Sequence, residues 1–288
     1  MDYPKRMKDD VKRHYRSRAT LEQRAEKEIK KSCDRYHAWC DTQKALNQKP
    51  LTIIAEGDSW FRYVIGKAII FQLGKLLKLE IQNLASPGDE VNEMLAPKQL
   101  MRLATLLKRG PAQGWKYDCM LFSGGGNDLV GRDRFHHWLH PYKAGMTPAQ
   151  VINKKTLNAK LSLIAADYQE LIDLRDKNSA KTHLFFHAYD FVIPDGRRAC
   201  WLGPWLEPGL SLRKVPKSKR REVVKLLLTE FDRVLDKLAN TNQRVTVIQT
   251  QGVLSDDEWA NELHPTNHGF RNIAKVFESE IKKKLQLN

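Results

Sequence analysis

The chain has 288 residues, of which 41% are hydrophobic, and a formal net charge of +15. This size suffices for one large α/β domain or two small ones, and no apolar run reaches the roughly 20 residues that cross a bilayer. Residues 1–18 are charged throughout and lack the apolar segment of a secretory signal, so we expect a cytoplasmic protein.

The positive charge raises the question of an anionic partner, because excess base attracts nucleic acid, anionic membranes and acidic ligands. The Lys and Arg residues are spread along the chain, and in stretches such as 218–238 they alternate with acids. Mixed charges at helical spacing are typical of a solvated face. We therefore favour a plain basic surface over nucleic-acid binding, and the oligomeric state stays open.

The four cysteines show neither a disulfide framework nor a zinc motif. Cys33 and Cys40 lie seven residues apart on a predicted helix, a separation of roughly 10 Å that exceeds the reach of a disulfide. Cys119 falls in an apolar run, and no pair that includes Cys200 or the others has C-x-x-C spacing. A reducing compartment is the simplest interpretation.

The apolar pattern divides the chain into a basic, partly disordered helical extension, residues 1–48, and a domain at 49–288. After a frayed start, a helix is expected from Thr20 with apolar residues at steps of three or four. Short apolar runs then alternate with helical patterns. The predicted strands are 51–56, 80–85, 118–124, 182–189 and 244–249. The predicted helices are 65–78, 89–109, 154–178, 217–240 and one after Asn267.

Short apolar strands that alternate with helices indicate an α/β fold with a five-stranded parallel sheet covered on both faces. Two longer irregular stretches, about 129–150 and 190–216, interrupt this pattern. In such sheets the chemistry lies at the carboxyl ends of the strands. Functional side chains should therefore follow strand ends and meet at one edge of the sheet.

Four strand ends carry residues suited to acyl transfer. They are Ser59 after the first strand, Gly88 in a turn after the second, Asn127 after the third and His264 after the fifth. Serine is a weak nucleophile at neutral pH and needs a base such as histidine to take its proton. The tetrahedral oxyanion needs N–H donors aimed at it, which a helix start, a turn glycine or an asparagine side chain can supply.

The order Gly-Asp-Ser, a turn glycine, Gly-x-Asn-Asp and a late His-Pro resembles the SGNH, or GDSL-type, hydrolase superfamily over about residues 50–285. The resemblance implies a flavodoxin-like three-layer α/β/α sandwich and an esterase, lipase or deacetylase that acts on small-molecule or glycan esters. It implies no metal and no organic cofactor. By this match Ser59 is the nucleophile, His264 is the base, and Ser59, Gly88 and Asn127 form the oxyanion hole.

One position departs from the family pattern. SGNH hydrolases usually carry Asp three residues before the histidine, where this chain has Asn261. An amide oxygen can accept the Nδ1 proton of His264, but it lacks the charge that stabilises an imidazolium. Three interpretations stay open: Asn261 orients the ring, a nearby acid does so, or Ser59 and His264 work as a dyad or in a degenerate site. The nearby acids are Asp256, Asp257 and Glu262.

Several motifs also have a purely structural interpretation. Ser59 could be only a helix N-cap, and the glycines before Asn127 could be a flexible turn, since no Lys-Ser or Lys-Thr completes a phosphate loop. Asp58 and Asp128 are expected to brace their loops. The histidines at 136, 137 and 140 suggest zinc less than a loop or short helix near the site, because no acid or cysteine completes a ligand set.

Two further groups of aromatic residues have open roles. His183 and His187 are four apart in the fourth strand and share a face, which favours packing over catalysis. Trp201 and Trp205 lie in the irregular stretch after that strand, where they could line an acyl or sugar pocket or simply pack.

Two functions therefore remain in view. The first is a serine hydrolase that cleaves carboxylic esters through an acyl-enzyme at Ser59. The second is a catalytically weak or inactive protein of the same fold that binds an anionic partner, a nucleic acid or an acidic ligand, through its basic surface.

Overall fold

The computed structural model describes residues 3–131, 134–198 and 203–287, with side chains from residue 23 onward. Five strands, numbered β1 to β5 along the chain, form one sheet in the order β2-β1-β3-β4-β5. The strands are β1 (Ile53–Gly57), β2 (Gln82–Asn83), β3 (Cys119–Ser123), β4 (His183–His187) and β5 (Val245–Ile248). Each adjacent pair is parallel. This strand order is that of flavodoxin-like folds, and its switch point lies between β1 and β3.

Ten α-helices surround this sheet in the described part of the chain. They are α1 (Tyr3–Ala45), α2 (Ile69–Leu77), α3 (Val91–Met94), α4 (Pro97–Arg109), α5 (Gly126–Val130), α6 (Pro148–Val151), α7 (Lys154–Ser179), α8 (Glu207–Leu212), α9 (Lys217–Thr241) and α10 (Asn267–Leu285). Two 3₁₀ helices span Phe135–Trp138 and Asp256–Glu258. Helices α2 and α10 pack together, as do α4 with α7 and α7 with α9.

Adjacent residues of β4 show that helices cover both faces of the sheet. Side chains alternate between faces along a strand. The ring of Phe186 lies 4.8 Å from that of Tyr168 in α7, whereas the ring of His187 lies 5.3 Å from that of Phe277 in α10. The predicted three-layer α/β/α sandwich with a five-stranded parallel sheet is therefore confirmed.

The structure corrects two element boundaries. The predicted helix 89–109 is divided into α3 and α4 at Pro97, because proline lacks an N–H and disfavours a helical residue before it; Ala96 is extended, with ψ 155°. The predicted strand 80–85 has only two strand residues, although the N–H groups of Leu84 and Ser86 still donate to the carbonyls of Ala55 and Gly57. These bonds keep the chain after β2 paired with β1 up to the carboxyl end of β1, where the candidate site lies.

Helix α1 covers the edge of the sheet formed by β2. Tyr36 and Cys40 are fully buried, the ring of Tyr36 stacks on Tyr117, and Ser32 Oγ accepts a hydrogen bond from the N–H of Asn83 at 3.1 Å. An exposed strand edge invites pairing with other chains, and a helix laid over it prevents this. The division at residue 48, with partial disorder before it, stays a prediction.

Cys33, Cys40 and Cys119 are free thiols, with Cys40 and Cys119 buried, and Cys200 lies outside the described residues. Within the described residues, no helix is long and apolar enough to cross a membrane.

Candidate active site

Ser59 lies in a tight turn at the carboxyl end of β1. Gly57 precedes this turn because β1 and β3 approach closely here: a Cβ at Gly57 would lie 2.7 Å from the carbonyl oxygen of Ser123. The chain then bends through Asp58, and the half-buried Ser59 faces a cavity that it shares with His264. The backbone therefore delivers the hydroxyl to the sheet edge where the sequence predicts it.

The buried carboxylate of Asp58 holds this turn in place. It accepts hydrogen bonds from the N–H of Trp60 at 2.9 Å, from Ser123 Oγ at 3.0 Å and from the Tyr189 hydroxyl at 2.7 Å. Burial raises the pKa of Asp58 to about 6. With three donors on its oxygens, Asp58 braces the Ser59 turn from below.

Ser59 and His264 form the central contact of the site. The chain reaches His264 after β5, in the turn that ends at the bridge between Trp259 and Pro265, and α10 starts shortly after it. This turn places His264 Nε2 at 2.7 Å from Ser59 Oγ. A hydrogen bond of this length is what proton transfer from serine to histidine requires.

Asn261 determines the tautomer of His264. Its Oδ1 accepts the backbone N–H groups of Leu263 and His264, each at 2.9 Å, so the oxygen and nitrogen of the amide cannot be exchanged. The same oxygen lies 3.1 Å from His264 Nδ1. Nδ1 must therefore carry the proton, which leaves the lone pair of Nε2 to face the Ser59 hydroxyl.

Tyr63 completes this arrangement, and no sequence signal identifies it. Its hydroxyl accepts a hydrogen bond from Asn261 Nδ2 at 2.9 Å, and its ring stacks on His264 with centroids 4.2 Å apart. Trp205 meets the same imidazole edge-on at 5.6 Å. This burial lowers the pKa of His264 to about 3, so the ring is a neutral base across the physiological range.

Glu262 anchors the loop that follows β4 through hydrogen bonds to its backbone. Its carboxylate accepts four backbone N–H groups, those of Gly196, Trp205, Leu206 and Glu207. These bonds fix the start of α8 and hold the Trp205 backbone where its indole reaches His264. Trp205 thus packs against His264 and, among the described residues, does not line the cavity beside Ser59; Trp201 lies outside the described residues.

The other two acids also have different partners. Asp256 pairs with Arg221, with Oδ2 at 2.6 Å from Nη1, and Asp257 accepts a hydrogen bond from Ser255 Oγ at 2.6 Å. Both acids are exposed. Of the candidates for orienting His264, the structure therefore brings Asn261 to Nδ1.

Two of the three predicted oxyanion donors lie beside the serine. Among the described residues, the N–H of Ser59 meets no acceptor. Asn127 lines the same cavity as Ser59 and uses one Nδ2 hydrogen on the carbonyl of Asp89 at 2.9 Å, which leaves the other available. Gly88 lies in the adjoining turn with φ 90°, but it is absent from the described residues that line the cavity.

The cavity beside Ser59 is narrow and apolar. Its volume is about 40 Å³, enough for a group of about three heavy atoms, since one water needs about 10–15 Å³ on this measure. Both irregular stretches contribute to it, Phe135 from the first and Val192 and Leu206 from the second, and α9 supplies Val224 and Leu227. The recess next to the Ser59 hydroxyl is therefore small and lined mainly by apolar side chains.

The remaining candidate residues have structural partners. His183 Nε2 bonds with Thr246 Oγ1 at 2.8 Å, and the buried His187 Nε2 bonds with Ser123 Oγ at 2.9 Å. Asp128 accepts the N–H of Val91 and pairs with Lys160, which braces its loop. Across the described ranges, including the histidines near 136, no three His, Cys, Asp or Glu side chains group as metal ligands.

No family model and no curated protein matches the chain in sequence. Solved structures do. A candidate SGNH hydrolase from Slackia heliotrinireducens superimposes with TM-score 0.52 at 14% identity, over 81% of this chain and 100% of its own. A lipase from a goat rumen metagenome gives 0.52 at 16%, over 80% and 96%. Phospholipase A1 from Streptomyces albidoflavus gives 0.50 at 13%, over 80% and 99%.

These structures confirm the resemblance found in the sequence at the level of the fold. The chain has the three-layer α/β/α fold of the SGNH hydrolases. At such identities the likeness carries the fold and not the reaction, so the activity must be argued from the side chains of the site.

Proposed function

We propose that this SGNH-fold chain is a serine hydrolase that cleaves carboxylic esters of short acyl groups through an acyl-enzyme at Ser59. The observation that carries the proposal is the 2.7 Å contact between Ser59 Oγ and His264 Nε2, with Asn261 Oδ1 on the other ring nitrogen. A serine N-cap would need no histidine on its hydroxyl. A histidine that only packed in the core could adopt either tautomer, whereas this one directs the lone pair of Nε2 at the Ser59 hydroxyl.

The first step is the attack of Ser59 Oγ on the ester carbonyl carbon. The new C–O bond forms while His264 Nε2 takes the hydroxyl proton, and the carbonyl π electrons move to oxygen as an oxyanion. The N–H of Ser59 and the free Nδ2 hydrogen of Asn127 donate to that oxyanion, with Gly88 as the third proposed donor. One such donor contributes about 3–4 kcal/mol by precedent.

The second step releases the alcohol. The tetrahedral intermediate collapses, the C–O bond to the alcohol breaks, and the proton on His264 Nε2 passes to the departing oxygen. Water then attacks the acyl-enzyme by the same route, with His264 again as base. The carboxylic acid leaves, and Ser59 regains its proton.

Asn261 makes this site different from one with a carboxylate. In serine proteases, Asp→Asn costs about 10⁴ in kcat because the amide imposes the wrong tautomer. Here two backbone N–H groups fix the amide with its oxygen on His264 Nδ1, so the tautomer is correct. The missing charge is the remaining deficit, and we infer a slower hydrolase rather than an inactive one.

The size of the acyl group follows from the cavity beside Ser59. A volume of about 40 Å³ accommodates an acetyl group and little more. The apolar walls, which include Val192, Val224 and Leu227, suit a methyl group better than a polar substituent. Acetyl esters of small molecules or glycans are therefore the proposed substrates.

The test compares p-nitrophenyl acetate with p-nitrophenyl octanoate on the wild-type protein and on Ser59→Ala. We expect release of p-nitrophenol from the acetate, little from the octanoate, and loss of both in Ser59→Ala. If the folded protein and Ser59→Ala release p-nitrophenol equally, the hydrolase proposal fails, and the inactive anion-binding protein becomes the better account.

A further inference from the structure

A second, larger recess lies on the other side of the loop that carries Ser59. It has a volume of about 560 Å³ and separates α1 from α2. This volume is within the usual range of small-molecule sites, about 300–1,000 Å³. We call it the α1–α2 groove. The residues that define it are Arg35, Trp39, Arg62, Tyr63, Lys75 and Lys78.

The polar lining of the α1–α2 groove is strongly biased toward positive charge. Four basic side chains line it, and Glu80 is its only acidic lining residue in the described part of the chain. Glu80 is engaged by Arg35 at 2.8 Å. The positive charges of Arg62, Lys75 and Lys78 are therefore left without a carboxylate in the groove.

Arg62 is the most informative of these cations. Its Nε and Nη2 donate to the carbonyls of Ala85 and Asn83, each at 2.7 Å, which fixes the guanidinium. Among the described residues no carboxylate lies within salt-bridge distance of it, although Glu28 and Glu56 are near enough to favour its charge. Burial lowers the pKa of Arg62, which shows that water solvates this charge incompletely. A held, poorly solvated guanidinium gains most from an anion in the groove.

Apolar and aromatic side chains make up much of the remaining lining, beside Ser32 and Asn83. Trp39 of α1 and Tyr63 are half-buried, and Phe71 of α2 is 46% exposed. Lys75 Nζ lies 4.9 Å from the centre of the Phe71 ring. Partly accessible aromatic rings beside cationic side chains suit a ligand with one apolar and one anionic part.

We propose that the α1–α2 groove binds a small phosphate-bearing amphiphile, with its phosphate at Arg62, Lys75 and Lys78 and its apolar body on Trp39 and Phe71. The groove is a bounded recess, which fits one compact ligand better than the phosphate track of a nucleic acid. The site gives α1 a function beyond covering the sheet edge, since α1 supplies one wall. The proposal does not rest on the ester hydrolysis at Ser59, although Tyr63 lines the groove and also contacts Asn261 and His264.

The test measures binding of monomeric decyl phosphate by isothermal titration calorimetry, on Ser59→Ala so that the active site consumes nothing. Decanol and inorganic phosphate, measured in the same way, report the separate contributions of the decyl chain and of the phosphate group. The double variant Lys75→Glu/Lys78→Glu reverses two groove charges. Lys155→Glu/Lys181→Glu makes the same change at exposed lysines on α7 and just after it, on the opposite face of the sheet.

We expect decyl phosphate to bind at least about tenfold more tightly than decanol or phosphate, because each part alone loses the contacts of the other. The groove variant should lose at least about tenfold in affinity, and the control should stay within about twofold. Equal losses in both variants would overturn the proposal. So would binding only to anionic lipid vesicles or to a twelve-nucleotide DNA strand, with none to decyl phosphate.

Discussion

Asn261 presents its amide oxygen to His264 Nδ1 at 3.1 Å and is held in that orientation by two backbone N–H groups, while its amide nitrogen donates to Tyr63. The contact supplies the geometry of a catalytic triad without its negative charge. Burial lowers the pKa of His264 to about 3, so the resting ring is neutral. The energetic character of the site depends on this pair.

Restoring the charge should accelerate the reaction. Asn261→Asp places a carboxylate beside the imidazolium that forms in the transition state, and the Tyr63 hydroxyl can rotate to donate to it. At an effective dielectric of about 20, such a pair is worth up to about 4 kcal/mol before desolvation. We expect kcat/KM for p-nitrophenyl acetate to rise by about 10- to 100-fold. Asn261→Ala should lose activity, and a slower Asp variant would mean that the site is adapted to the amide.

The pH dependence should report the same difference. Because the pKa of His264 is lowered to about 3, its neutral, basic form persists as pH falls and is lost only near that value. His264 should therefore contribute no acid limb to the profile of kcat/KM between pH 8 and pH 5. In Asn261→Asp the carboxylate favours the charged ring, so the limb that reports His264 should move toward neutral pH. Because burial raises the pKa of Asp58 to about 6, only a wild-type acid limb near 6.5 that persists in Asp58→Asn would contradict the burial of His264.

Tyr63 is a positioning residue that acts through Asn261 and His264. Tyr63→Phe keeps the stacked ring but leaves the buried Nδ2 of Asn261 without its acceptor at 2.9 Å. We expect kcat to fall by about tenfold with KM nearly unchanged, since a lost buried hydrogen bond costs about 1–3 kcal/mol. Tyr63→Leu, which also removes the stack, should lose more. If KM instead rose by as large a factor as kcat fell, Tyr63 would be assigned to substrate binding.

Enlarging the acyl cavity should change the chain-length preference. Leu227→Ala opens the wall formed by α9, so the ratio of kcat/KM for the hexanoate over the acetate should rise about tenfold or more. The matched control is Leu235→Ala on the same helix, which is fully buried but does not line the cavity. Both variants lose stability by about 2–5 kcal/mol. Only the first should change selectivity.

Glu262 should matter for stability and for the position of Trp205. Glu262→Gln replaces a charged acceptor of four backbone N–H groups with a neutral one and introduces an NH₂ that faces donors. We expect the free energy of unfolding in urea to fall by about 2 kcal/mol. If the activity of the folded variant fell a thousandfold without any loss of stability, Glu262 would have a catalytic role instead.

The sequence predicts the part of the site that depends on where the strands end. Ser59, Asn127 and His264 each follow a buried apolar run, and parallel strands place their carboxyl ends at one edge, so their meeting follows from the pattern. The choice of Asn261 over Asp256, Asp257 and Glu262 does not follow, because it depends on which N–H groups the backbone turns toward each oxygen. The orientation of those N–H groups is set by the tertiary structure and cannot be read from the local sequence.

Other features were equally beyond the pattern. Tyr63 lies four residues after the serine in an irregular segment, where no period relates it to His264. The α1–α2 groove exists because α1 packs on β2 while leaving room beside α2, a matter of helix placement. Pro97 did carry a local signal, since proline starts helices more readily than it continues them, and the unbroken prediction for 89–109 passed over it.

The most direct measurement is the reaction of the folded protein with a fluorophosphonate, followed by peptide mass spectrometry. The account predicts a single phosphonyl adduct on Ser59, absent in Ser59→Ala and formed at least about a hundredfold more slowly in His264→Ala, because general-base assistance is worth about 10²–10⁴. No adduct on Ser59, or an adduct formed equally fast without His264, would contradict the central claim that these two residues form a nucleophile and its base.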